Sequence, residues 1–166
     1  PITVARAALV DAATRADVAL GFEDGAADYR TAVTARRGST SWELRVTGRS
    51  AHSSQIFRED VGAGAIFEAA RILDRFRAEL SAEPYLSFNP GVILGGTAVQ
   101  YDTAQARGSA FGKTNVVAEH AVVAGDLRAL SPEQRARATS RMQAIVAEHL
   151  PRTAASLAFS ESYPPF

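Results

Sequence analysis

Four side chains in this sequence are of types that do chemistry: His52, Asn115, Arg128 and Glu23. His52 stands in Val46-Thr-Gly-Arg-Ser-Ala-His-Ser-Ser54, where glycine, alanine and serine let another surface approach closely. Imidazole titrates near neutrality, so a histidine on a small polar turn suits proton transfer or donation to developing negative charge. A plainer role, a loop histidine hydrogen-bonded to nearby backbone, fits the same residues. Ser53 and Ser54 are poor nucleophiles for it, because sequence neighbours rarely reach triad geometry. No second histidine or cysteine stands at metal-ligand spacing, which argues against a complete zinc site on this chain.

Asn115 closes Gly112-Lys-Thr-Asn115 at the mouth of an apolar run. Gly-Lys-Thr suggests a phosphate loop, but Gly108 lies one residue too close to Gly112 and no helical pattern follows. Asn115 then reads either as a turn cap or as a displayed amide. Arg128 ends Gly125-Asp-Leu-Arg128, and pairs with Asp126 or offers a planar fork to a carboxylate. Glu23, in Gly21-Phe-Glu-Asp-Gly25, reads on its own as a solvated turn residue. His120 and His149 fall on a strand and on a helix stripe and read as structural.

The elements that must position these groups follow from periodicity. Residues 2–20 read as an alanine-rich helix with Val4, Ala8, Leu9 and Ala12 on one stripe. Tyr29 to Arg36 and Trp42, Leu44 and Val46 alternate with polar residues about Arg37-Gly38-Ser39, which predicts a β-hairpin. A helix is expected from about Asp60 to Leu80, with Ile66, Ala70, Leu73, Phe76 (or Arg77) and Leu80 inward and Glu68, Arg71, Asp74 and Arg75 outward. Tyr85 to Leu94 reads as a strand whose Pro90-Gly91 step marks a bulge or an edge position. Residues 98–114 form an ordered excursion, and Val116 to Leu127 is the longest strand. Ser131-Pro-Glu-Gln134 starts a helix as N-cap, first-turn proline and capping-box partner, and Pro151 ends it. Ala155, Leu157 and Phe159 alternate in a last strand. With the first helix set aside, the order β-β-α-β-β-α-β predicts an α+β two-layer sandwich, an antiparallel sheet with two helices on one face.

Composition bounds what such a domain does. In 166 residues, 46% hydrophobic and 22% charged side chains are the balance of a single globular domain. Basic and acidic residues both number 18, which gives no electrostatic footprint for nucleic acid. No apolar run approaches the roughly 20 residues that span a bilayer. The absence of cysteine excludes disulfides and thiolate metal sites and leaves the compartment, cytoplasmic or periplasmic, open. The chain begins on Pro1, which reads as excision from a longer protein, and Ser162-Tyr-Pro-Pro-Phe166 reads as an extended lead into the rest of it.

In order, these segments resemble the zinc-dependent peptidases of clan MH, metallopeptidase family twenty, which includes glutamate carboxypeptidases, aminoacylases, desuccinylases and dipeptidases. The residues that carry the likeness are Phe22-Glu23, the G-x-x-[AS]-H loop ending at His52, and Asn89-Pro-Gly-Val-Ile-Leu-Gly-Gly96. Thr114-Asn-Val-Val117, Gly125-Asp-Leu-Arg-Ala-Leu-Ser-Pro-Glu133 and Tyr163-Pro-Pro-Phe166 complete it. The resemblance covers the middle of such an enzyme and implies a ferredoxin-like lid and dimerisation domain over residues 25–162. It implies that residues 1–24 and 163–166 belong to the catalytic domain, where Glu23 would be a carboxylate ligand of one of two zinc ions.

The resemblance also implies that His52 reaches the partner subunit's active site and stabilises the oxyanion, with Asn115 and Arg128 binding the substrate there in trans, a peptide or N-acyl amino acid. A homodimer through a sheet edge and the adjacent helix follows from it. The sequence lacks the family's His-x-Asp element, Glu-Glu pair and distal histidine, so the fragment alone is expected to bind no zinc and to hydrolyse nothing. Two rivals stand beside this reading. One is a free-standing ferredoxin-like module for association or small-ligand binding, which flanking His-x-Asp and Glu-Glu segments would exclude. The other is an RNA-binding sheet, which zero net charge and the lack of an aromatic-glycine strand signature disfavour.

Overall fold

Thr40, Trp42, Leu44 and Val46 are buried and alternate with Ser41, Glu43, Arg45 and Thr47 along strand β1 (Gly38–Thr47). That period-two pattern puts one face of the strand on a core, as expected from the sequence. The computed structural model describes residues 2–20 and 28–165. The chain divides into two compact units, residues 1–34 and 35–166. The first holds helix α1 (Ile2–Thr14). The second holds β1 and the elements that follow.

β1 is an inner strand of a four-stranded antiparallel sheet. After it come helix α2 (Gly64–Leu80), strand β2 (Ser87–Gly96), a hairpin of β3 (Ala98–Asp102) and β4 (Arg107–Phe111), strand β5 (His120–Ala129), helix α3 (Pro132–Ala147) and strand β6 (Ala154–Tyr163). The sheet order is β2-β5-β1-β6. Ile72 and Phe76 of α2 and Ala138, Met142 and Ile145 of α3 pack on Leu44, Val123 and Leu127, so both helices share one face and close the core there. The predicted α+β sandwich is the fold observed. Within the core the Trp42 ring meets Phe76 edge-on at 6.0 Å and its Nε1 donates to the Asp126 carbonyl at 3.0 Å. The β3–β4 hairpin lies over the other face, where Thr103 Oγ1 donates to Glu43 at 2.7 Å. No described helix is long and apolar enough to cross a membrane.

Several elements differ from the sequence expectation, each for a physical reason. α1 stops at Thr14, whose hydroxyl donates back to the Asp11 carbonyl, and Val4 and Leu9 are exposed. The expected turn at residues 21–25 lies outside the described residues. Among the described residues no strand precedes β1: residues 31–37 are irregular, because both edges of β1 are taken by β5 and β6. α2 buries Ala65, Glu68, Ala69, Ile72 and Phe76, while Ile66 is exposed, so its core face is rotated from the expected one and Glu68 is inside rather than outside. β2 is an edge strand with a register shift between Pro90 and Val92, as its Pro-Gly step implied. Ser131 caps α3 by accepting from Gln134 N–H, but the Gln134 carboxamide oxygen takes the Leu130 N–H and not the cap's own. His149 falls beyond the end of α3 rather than on its stripe.

Candidate functional site

Gly48 turns the chain out of the sheet after β1. Its N–H donates to the Glu119 carbonyl at 2.8 Å, and a Cβ there would lie 2.7 Å from Ala65 N. Only glycine lets the strand pass that close to the first turn of α2. Two backbone bonds then clamp the following loop to the segment before β5. Ser53 N–H donates to the Asn115 carbonyl at 2.9 Å and Val117 N–H to the Ala51 carbonyl at 2.9 Å, an antiparallel bridge between His52 and Val116. The structure thus makes His52 and Asn115, far apart in sequence, neighbours on one backbone bridge, both with exposed side chains.

His52 also caps a single 3-10 turn, Ser53–Gln55. Its Nδ1 accepts the Ser54 N–H at 3.3 Å and sits 2.8 Å from Ser54 Oγ. A ring nitrogen that accepts a backbone N–H is unprotonated in the neutral imidazole, which leaves the proton on Nε2. Nε2 has no partner among the described residues and faces outward as a donor. Ser54 is no nucleophile in this geometry but holds the ring, a role the sequence reading did not assign it.

Asn115 sits in a turn closed by Val116 N–H donating to the Lys113 carbonyl at 3.0 Å. The strand before that turn is pinned as well: the Phe111 carbonyl accepts from Thr97 N–H at 2.8 Å and from Thr97 Oγ1 at 3.0 Å. No helix follows Gly112-Lys-Thr, so the phosphate-loop reading fails on its geometry.

Arg128 is elsewhere. It pairs with Asp126 at 2.9 Å and donates to the Tyr163 hydroxyl at 3.3 Å, contacts that hold the guanidinium charge firmly, the Asp126 bond foremost. Register places it opposite Ser39, at the end of the sheet where β1 begins and β6 finishes. Thr47 and His120 pair at the other end, beside Gly48 and the His52 loop. From His120 to Arg128 the strand runs about 26 Å at its usual rise. One copy of the domain therefore does not bring Arg128 to His52 and Asn115. Glu23 lies outside the described residues. His120 is half exposed beside Glu119, its Nε2 at 3.9 Å.

A second polar cluster went unread in the sequence. Glu68, fully buried, takes two bonds from Arg71 at 2.9 and 2.7 Å and one from Leu150 N–H at 3.1 Å. Arg71 also donates to the Ile145 carbonyl at 3.3 Å and to the Glu148 carbonyl, tying α2 to the end of α3. Burial pushes the Glu68 carboxyl up, but the bonds from Arg71 and Leu150 and the charge of Arg71 outweigh it, and the group ends below its ordinary value. Glu68 and Arg71 stand three apart, the spacing of a helix pair. Nothing in the sequence separates a buried pair from a solvated one. Among the described residues no group of three or more His, Cys, Asp or Glu is placed to hold a metal ion.

The sequence pattern of one protein family, the peptidase dimerisation domain, matches residues 34–154. No curated protein matches the chain. Among solved structures, a tripeptidase from Staphylococcus aureus superposes with a TM-score of 0.66 at 22% identity, over 86% of this chain and 34% of its own. Aminopeptidase PepT from Bacillus cereus gives 0.59 at 20% identity, over 81% of this chain and 32% of its own. An amidase of the hydantoinase/carbamoylase family from Burkholderia phymatum gives 0.60 at 18% identity, over 80% and 30%. The chain spans about a third of the length of these structures.

Proposed function

We propose, from the premise that this chain belongs to the peptidase dimerisation domain family, that it is the lid and dimerisation domain of a hydrolase acting on peptide or amide bonds. In the parent protein, residues 1–24 and 163–166 belong to a catalytic domain with two zinc ions, and Glu23 is a ligand of one. The described residues themselves form no metal site. The observation that carries the proposal is the backbone bridge between the His52 loop and the segment before β5, closed by Ser53 N–H on the Asn115 carbonyl and Val117 N–H on the Ala51 carbonyl. It mounts an exposed imidazole and an exposed carboxamide on two neighbouring, clamped segments.

Such a pair completes a site whose nucleophile is elsewhere. His52 Nε2–H donates to the oxyanion as the amide carbon becomes tetrahedral, and a preorganised donor of this kind acts most strongly where charge develops. Asn115 binds the substrate beside it. Arg128, at the end where the chain enters and leaves the sheet, takes a substrate carboxylate through its fork. Because the chain enters β1 and leaves β6 at its end of the sheet, Arg128 serves the catalytic domain of its own subunit. His52 and Asn115 serve that of the partner.

Self-association through β2 and α2 makes this sharing possible. β2 is a free edge, and Ile93 on it and Ile66 on α2 are 57% and 49% exposed. A Cβ on Gly95 would lie 2.8 Å from Ile66 Cγ1, so the helix residue rests directly over the strand. An exposed apolar edge of this kind is a template for pairing with a second copy. The other edge, β6, has Tyr163 as its exposed large apolar residue among those described.

The test is His52→Ala in the full-length parent. Turnover falls by roughly 10²–10³, the cost of one oxyanion donor, while the protein stays dimeric. Unchanged turnover removes His52 from the mechanism.

A further inference from the structure

We propose that Lys113 is a specificity residue of the shared site: its ammonium pairs with a carboxylate that the substrate carries beside the amide to be cleaved. The inference rests on the reading of His52 and Asn115 given above and adds to it a charge requirement.

Lys113 is the only lysine in the sequence; every other member of its 18 Lys and Arg residues is arginine. The arginines are largely engaged. Arg71, Arg75, Arg77, Arg128, Arg137 and Arg141 each meet a carboxylate within 3.1 Å. Lys113 meets no carboxylate among the described residues and is exposed. The chain has zero net charge, so Lys113 is not part of a basic excess.

Its backbone, in contrast, is held at every side. Lys113 C=O closes the turn with Val116 N–H, Asn115 C=O is bonded to Ser53 N–H, and Phe111 C=O to Thr97. A fixed turn therefore presents Lys113 two positions from Asn115 and across one bridge from His52. Lysine suits such a place, since a compact charge on a flexible stem reaches a ligand carboxylate from a mount that stays still. In open water the pair would be worth little. Once a partner catalytic domain covers the loop and excludes water, the same charge acts far more strongly.

The experiment uses the full-length parent with N-succinyl-L-glutamate and three analogues, each with one carboxylate replaced by a carboxamide. kcat/KM is read for compounds that turn over and the inhibition constant for those that only bind. Lys113→Gln is expected to weaken roughly 10- to 100-fold the compounds that keep one particular carboxylate, the usual loss for a hydrogen bond to a charged group. The analogue lacking that carboxylate is left unchanged, and Lys113→Arg stays within a few-fold of wild type throughout. An equal loss on all four, no loss on any, or a panel that neither turns over nor binds overturns the proposal. His52→Ala in parallel keeps the two readings apart. If it is silent, the shared-site function fails; if it is damaging while Lys113→Gln treats all compounds alike, only the charge requirement fails.

Discussion

Two contacts reach His52 Nδ1, from Ser54 N–H at 3.3 Å and from Ser54 Oγ at 2.8 Å, and together they keep the ring proton on Nε2. Ser54→Ala removes one and leaves the other. In the parent it should lower kcat about two- to ten-fold, the worth of a single hydrogen bond, well short of the His52→Ala loss. A loss equal to that of His52→Ala would mean Ser54 itself touches the reacting atoms. Glu68 supports a prediction of pH dependence. Its carboxyl titrates lower in the folded chain than the ordinary 4.5. The unfolded chain therefore binds more protons, and the pair's stabilisation is present above about pH 4.5 and lost as pH falls through the folded value. Glu68→Gln should flatten the acid limb of a plot of urea midpoint against pH. Glu68→Ala should cost about 3–5 kcal/mol at neutrality by stranding Arg71. An acid limb unchanged by Glu68→Gln would assign acid lability to other carboxylates.

Among the elements, the sheet depends on close approaches at glycine, of which Gly125 is one at its centre. A Cβ on Gly125 would lie 2.4 Å from Trp42 Cζ2 and 2.2 Å from the Asn89 carbonyl oxygen. Gly125→Ala should therefore cost about 1–3 kcal/mol through overpacking, read as a lower denaturation midpoint and altered Trp42 fluorescence. A variant as stable as wild type would mean that β2 yields at its bulge. The same elements explain what the sequence disclosed. β1, β5 and α3 were legible because each has one buried face, β6 because its half-buried residues alternate, and β2 and α3 because of a local punctuation mark, Pro90-Gly91 and Ser131-Pro132. α2 misled because Ile66, Ala70 and Leu73 have the same spacing as Ala65, Ala69 and Ile72; the hidden Glu68–Arg71 pair decides between them. The false first hairpin had correct alternation, yet β1 takes its neighbours from β5 and β6, on the far side of α2. Candidate residues were visible by type, but the pairing of the His52 loop with the Asn115 segment was not. It arises from a bridge across some sixty residues, and no local pattern encodes that.

At the scale of the whole molecule, the separation of Arg128 from His52 decides how subunits share a site. Ile93→Asp on the β2 edge should turn dimer into monomer by light scattering, with the circular dichroism of the fold retained, since Ile93 is already 57% exposed. If the site is shared, activity disappears with the dimer. Subunit mixing then tests the arrangement itself. His52→Ala and Arg128→Gln parents should each retain only a small fraction of wild-type activity alone. In a mixed dimer, the catalytic domain of the His52→Ala subunit retains its own Arg128 and receives an intact His52 from its partner, so one site of the two is whole. Random exchange of equal amounts should restore about a quarter of wild-type activity. If all three residues came from one and the same subunit, in cis or in trans, every site in every mixed dimer would lack one of them, and mixing would restore nothing. Recovery on mixing, lost again when both subunits carry Ile93→Asp, is the outcome that a sheet with His52 at one end and Arg128 at the other requires.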